Sequence, residues 1–231
     1  PAHPLGQFHH RVRTAAEAGF PPSLVLLGFK PQQLDDVARQ LAPRLSAQTV
    51  VVSMLAGVEA ASLRARFPGA KAVVRIMPNL PVAVRRGVVA LYSEDADEAL
   101  QRQMSQLFSV LGFTAWTASE AEFASIGSVA GAGPAYAARF IASLAKAGEA
   151  RGLAPEIARA AAVETVFGTA WMAAASTDPL GRIVERVASP NGTTLAGLAV
   201  LDPELDGLVE RTLDAASRRS AELAAEARPG G

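Results

Sequence analysis

Residues 49–57 read TVVVSMLAG. Three consecutive valines between a threonine and a serine favour an extended chain, because β-branched side chains fit a pleated surface better than a helix. No polar residue alternates with the valines, so both faces of the predicted strand should be covered. Ala56-Gly57 then stops the run. Two similar runs flank it: Leu24-Val-Leu-Leu, ending at Gly28, and Ala72 to Met77, ending at Pro78. Between the three lie Gln32 to Leu45 and Val58 to Phe67, whose apolar residues recur near helical spacing. Strand, helix, strand, helix, strand predicts a parallel sheet with helices on its faces. Gly87 to Tyr92 reads as a further strand, Asp95 to Gly112 as a helix and Thr114 to Thr117 as a short strand.

Past residue 119 the alternation gives way to alanine-rich helices. Pro134 to Arg151 gathers Arg139, Ser143, Lys146 and Glu149 on one narrow stripe and is apolar elsewhere. Pro155 to Ser176 sets Val163, Val166, Phe167, Trp171 and Met172 among many alanines. Helices this apolar need cover nearly all round. The remaining chain is too short to wrap both, which predicts that a second copy supplies the rest. Leu205 to Ala227 closes the region as a more charged helix. The expected organisation is therefore an α/β sheet domain over residues 1–119 and an all-α domain over 120–231.

The 231 residues carry 22 basic and 22 acidic side chains, so no charge excess points to nucleic acid or an anionic membrane. Half of the residues are hydrophobic, yet the longest uncharged apolar run, Thr165 to Thr177, is too short to span a bilayer. Absence of cysteine removes disulfides and thiolate chemistry and is compatible with a reducing cytosol. The three histidines, His3, His9 and His10, are bunched in a polar start, which argues against a histidine base or a metal site. A chain so short of reactive side chains should borrow its chemistry from a cofactor.

Three loops follow the early strands: Gly28-Phe-Lys-Pro-Gln, Ala56-Gly57 and Met77-Pro-Asn-Leu-Pro. Ligands of open parallel sheets bind beyond the carboxyl ends of the strands, where these loops must lie. Each alone also reads as an ordinary strand-to-helix turn. Gly131-Ala-Gly-Pro offers a helix start suited to an anion, or else close helix packing. Glu120 and Glu122 suggest exposed linker carboxylates more than an acid pair. Ser189-Pro-Asn-Gly-Thr-Thr-Leu-Ala-Gly-Leu sets a turn and two threonines before an apolar helix. The threonines read either as caps or as part of a cradle in which the amides of Gly192, Thr193 and Thr194 hold a carboxylate.

Taken in order, Leu24 to Gln32, Val51 to Val58, Arg75 to Pro81, Gly131 to Tyr136 and Ser189 to Leu198 resemble the pyrroline-5-carboxylate reductase family. The resemblance covers residues 20–225 and implies an incomplete Rossmann-like sheet followed by a helical dimerisation domain. It also implies NADPH- or NADH-dependent reduction of the imine of 1-pyrroline-5-carboxylate to L-proline, by an oligomer in the cytoplasm. By similarity, Ser189, Gly192, Thr193 and Thr194 hold the substrate carboxylate, and the Thr194 hydroxyl meets the ring nitrogen. Lys30, Pro31, Ala56, Met77, Pro78 and Asn79 line the nicotinamide side. Asn191 stands where the family usually has glycine, and Ala130 and Ala132 stand where it usually has serine. The family's opening strand, GxGxxG turn and helix have no counterpart before residue 24, which leaves the strand Leu24 to Leu27 with an expected bare edge. The alternatives are a cofactor-deficient relative serving as a binding or oligomerising subunit, and a β-hydroxyacid dehydrogenase plan that would use Lys146.

Overall fold

The computed structural model describes residues 21–226. His3, His9 and His10 lie outside them. Two compact units divide between Gly131 and Ala132.

The first unit is a five-stranded sheet in the order β1 (Leu24–Leu27), β2 (Val50–Ser53), β3 (Ala72–Pro78), β4 (Gly87–Tyr92), β5 (Gly112–Trp116). Its helices are α1 (Leu34–Leu41), α2 (Ala60–Arg66), α3 (Glu98–Ser109) and α4 (Glu120–Ile126). The valine run of β2 serves two cores. Val51 points with Leu27 and Val73 toward Leu34, Ala38 and Leu41 of α1 and Leu63 of α2. Val50 and Val52 point with Val74 and Ile76 toward Leu100, Met104 and Phe108 of α3. Polar residues cannot alternate in a strand whose two faces are both covered, which is why the run is unbroken. Val51 and Val52 are fully buried, each worth about 1.5–3 kcal/mol of transfer free energy.

The sheet is not wholly parallel, and this corrects the expectation above. β1, β2 and β3 are parallel neighbours, as are β4 and β5, but β3 and β4 run antiparallel, with Pro78 opposite Val89. A parallel return needs a crossover of about a dozen residues or more. Only residues 79–86 join β3 to β4, mostly as the short 3-10 helix Leu80–Val84, closed by Arg85 in the left-handed region. Among the described residues β1 is an edge strand, and Leu26 on it is half exposed.

Glu120 is no free linker carboxylate. Its Oε1 accepts the Ala60 N–H at 2.7 Å, and its Oε2 pairs with the Arg75 guanidinium from β3. Arg75 is only 11% exposed and lies 4.5 Å over the Phe123 ring. Burial pulls this guanidinium below its ordinary pKa, while the charge and hydrogen bond of Glu120 oppose the pull. Glu122 accepts the Ala118 N–H, so the two acids do separate structural work. Removing one partner of a buried pair leaves the other uncompensated. Glu120→Ala is expected to lower unfolding stability by about 3 kcal/mol, read from the urea midpoint.

Phe123 of α4 packs with Ala60, Ala90 and Tyr92, so α4 contacts the sheet. A π-helix, Gly127–Gly131, follows it directly. The next helix starts at Gly133 with Pro134 in its first turn, as the sequence predicts, with Ala132 at its N-cap.

The second unit holds α5 (Gly133–Glu149), α6 (Pro155–Ala175), α7 (Leu180–Val187) and most of α8 (Thr193–Glu226). Helices α5 and α6 pack closely because Gly148 lets Ala158 approach. Ala145, Ala158 and Ala162 are the only buried hydrophobic residues among those described in this unit. Phe140, Phe167, Trp171 and Met172 are each between 44% and 58% exposed. Helix α8 joins the expected turn-plus-apolar start to the charged final helix without a break, and Pro203 lies inside it.

Candidate active site

Site residues predicted from the sequence fall into two groups, one in each unit. In the first unit, parallel pairing with Leu27 opposite Ser53 and Ser53 opposite Arg75 brings the ends of β1, β2 and β3 to one edge of the sheet. Lys30, Pro31, Ala56 and Asn79 lie on the segments leaving that edge, and Met77 is in the end of β3 itself. Pro31 opens a 3-10 turn in which the Gln33 N–H donates to the Lys30 carbonyl at 2.9 Å. Lys30 and Ala56 are exposed. Gly57 has φ 72°, a conformation that favours glycine, and a Cβ on Gly28 would come within 3.0 Å of Met54 Cε. Pro78, expected to start the turn, is instead the last residue of β3. Asn79 is held by the protein itself: its Nδ2 donates to the Ala130 carbonyl at 3.0 Å and its Oδ1 accepts the Val88 N–H at 2.8 Å.

The residues at this edge are mostly glycine, proline and apolar side chains, with Lys30 and Asn79 as the polar ones. A glycine-rich turn able to hold a pyrophosphate is not among the described residues. Nor, among them, is any group of three or more His, Asp or Glu side chains placed to hold a metal ion.

In the second unit, the chain leaves α7 through Ser189-Pro190-Asn191-Gly192 and enters α8. The Gly192 N–H donates to the Ser189 carbonyl at 3.0 Å, and Asn191 supplies the required left-handed residue with φ 56°. Gly192 therefore does not offer its amide to a ligand, which corrects the expected cradle. A Cβ at Gly192 would stand 2.3 Å from Ser189 Oγ and 3.0 Å from the Ser189 carbonyl oxygen, so glycine leaves this turn uncrowded.

The first helical bond is Ala196 N–H to Gly192 carbonyl at 3.3 Å. The amides of Thr193, Thr194 and Leu195 precede it and have no backbone acceptor among the described residues, as the first turn of any helix leaves them. Leu195 is a donor that the sequence reading missed, though the rule of unpaired first-turn amides could have named it. Neither threonine side chain caps the helix. Thr169 and Thr212, by contrast, each bond the carbonyl four residues back at 2.7 Å. Thr194 is partly buried and its hydroxyl makes no hydrogen bond among the described residues.

Asn191→Ala is expected to cost about 1 kcal/mol of stability, since alanine tolerates the left-handed region less well, while Asn191→Gly is expected to be neutral or stabilising. Thermal unfolding of the two variants checks the order.

A mostly parallel sheet unit followed by an all-helical unit is a plan shared by two-domain nicotinamide-dependent oxidoreductases. Residues 120–223 match the pyrroline-5-carboxylate reductase dimerisation family model, and residues 2–82 match that of ketopantoate reductase PanE/ApbA. The chain is 39% identical to a pyrroline-5-carboxylate reductase of Pseudomonas aeruginosa, over 92% of this chain and 79% of that one. It is 36% identical to the enzyme of that name from Pisum sativum, over 87% and 74%. The solved pyrroline-5-carboxylate reductase of Coxiella burnetii superposes with a TM-score of 0.80 at 30% identity, covering 87% of this chain and 76% of that one. The chain belongs to the pyrroline-5-carboxylate reductase family. No described helix is long and apolar enough to cross a membrane.

Proposed function

We propose that this protein reduces 1-pyrroline-5-carboxylate to L-proline with NADPH or NADH, the last step of proline biosynthesis. The single observation that carries the reading is 39% identity to a reductase of that name over 92% of the chain, a span that includes both groups of site residues. The bound cofactor supplies the hydride. Lys30, Pro31, Ala56, Met77 and Pro78 line the nicotinamide side, with Asn79 beside them. The amides of Thr193, Thr194 and Leu195 bind the substrate carboxylate, aided by the positive end of the α8 dipole. Ser189 and Gly192 shape the turn that presents them. The Thr194 hydroxyl stands at the ring nitrogen, which takes up a proton as its double bond is reduced, and donates or relays that proton.

The helical region from residue 120 onward makes at least a dimer. The exposed Phe167, Trp171 and Met172 need cover, and a second copy supplies it. Balanced charge and the lack of cysteine support a cytoplasmic enzyme without nucleic-acid or membrane partners. Mixing the protein with NADPH and 1-pyrroline-5-carboxylate should oxidise the cofactor and form proline. No turnover together with no saturable NADPH fluorescence would overturn the assignment.

A further inference from the structure

We infer that Asn79 is a positioning residue of this site, acting through the π-helix Gly127–Gly131 rather than as a ligand of the cofactor. The inference rests on the reading of the segment after β3 as the nicotinamide wall. Both ends of the Asn79 side chain are engaged: Oδ1 accepts the Val88 N–H at 2.8 Å, and Nδ2 donates to the Ala130 carbonyl at 3.0 Å. Its backbone N–H donates to the Val88 carbonyl at 3.1 Å. A Cβ on Gly87 would lie 2.8 Å from Asn79 Oδ1, so the glycine that opens β4 also makes room for this amide.

Two residues before Asn79, Met77 meets the same π-helix. A Cβ on Gly127 would stand 2.7 Å from Met77 Cε and 2.9 Å from its Sδ. The thioether rests where that Cβ would be. The spacing explains the double contact. Residues two apart on an extended chain share a side, and Asn79 is extended (φ −100°, ψ 171°). Met77 and Asn79 therefore reach Gly127 and Ala130 together. Upstream, Glu120 fastens α4 to Arg75 of β3 and to Ala60 of α2, so the segment that grips the wall is itself anchored to the sheet. π-helical turns are rare and concentrate at functional sites. Here the turn carries both contacts to the wall.

Asn79→Asp preserves size and the acceptor for Val88 but turns a carboxylate toward the Ala130 carbonyl. In the cofactor-free protein, amide exchange over residues 76–90 and 127–131 should speed by about tenfold or more. In the enzyme, kcat should fall by about tenfold or more while the fluorescence-measured Kd for NADPH stays unchanged, because a wall displaced slightly spoils alignment before it spoils binding. Gly127→Ala leaves Asn79 intact, reaches the same segment through Met77, and should show the same split. A Kd that weakens in step with kcat in Asn79→Asp, or an unchanged kcat in both variants, overturns the inference. If the parent protein turns over no imine, the proposed function fails. The inference then stands or falls on amide exchange alone, and unchanged exchange in both variants overturns it.

Discussion

Thr194→Ala is expected to lower kcat by about a hundredfold while NADPH binding, followed by nicotinamide fluorescence, is unchanged. Threonines inside helices commonly quench their hydroxyl on the carbonyl four residues back, as Thr169 and Thr212 do at 2.7 Å. Thr194 makes no such bond among the described residues, so its hydroxyl remains both donor and acceptor. Reduction of a C=N bond leaves the nitrogen needing a proton, and a hydroxyl held beside it meets that need at neutral pH without a titrating side chain. No histidine occurs after His10 and the chain has no cysteine to serve instead. Thr194→Ser, which keeps the hydroxyl, should recover most of the loss. Thr212→Ala, whose hydroxyl is already spent, should leave kcat as it was. A Thr194→Ala variant that turns over the imine at the parent rate would remove Thr194 from the chemistry.

Gly192→Ala should raise KM for 1-pyrroline-5-carboxylate by about tenfold or more, with the affinity for NADPH preserved. A methyl group there would sit 2.3 Å from Ser189 Oγ and 3.0 Å from the Ser189 carbonyl oxygen. The hydroxyl can rotate away. The carbonyl cannot, because it accepts the Gly192 N–H that closes the turn. The carbonyl must therefore give by a few tenths of an ångström, shifting the turn and with it the amides of Thr193, Thr194 and Leu195 against the carboxylate they are proposed to bind. Double substitution with Ser189→Ala relieves only the hydroxyl contact and should restore only part of the affinity. Equal KM values in parent and Gly192→Ala would show that the carboxylate is held elsewhere.

Much of the first unit was legible because its signals are local. An unbroken valine run reads as a strand covered on both faces, and Val51 and Val52 divide between the two cores as that demands. The antiparallel return of β4 was legible in principle from the few residues between Pro78 and Gly87, but the regular alternation of strands and helices around it masks the shortness of that one connection. The Arg75 and Glu120 pair was not legible. The two residues are 45 positions apart, and nothing in either neighbourhood shows that α4 folds back onto β3. The same holds for Asn79 and Ala130, 51 positions apart. Before α8 the turn itself was visible, whereas the direction of the Gly192 amide depends on the left-handed residue before it and emerged only with the backbone.

Pro203 inside α8 has a mechanical outcome. Proline brings no N–H to bond the Ala199 carbonyl, and its ring crowds that same carbonyl. The last helix is thus a pair of rods coupled by a soft joint near residues 199–203. Thermal opening can begin at that joint as well as at the two ends. The stretch that starts at Thr193 is then a rod of about two turns whose firmness owes more to what packs against it than to the long helix behind it.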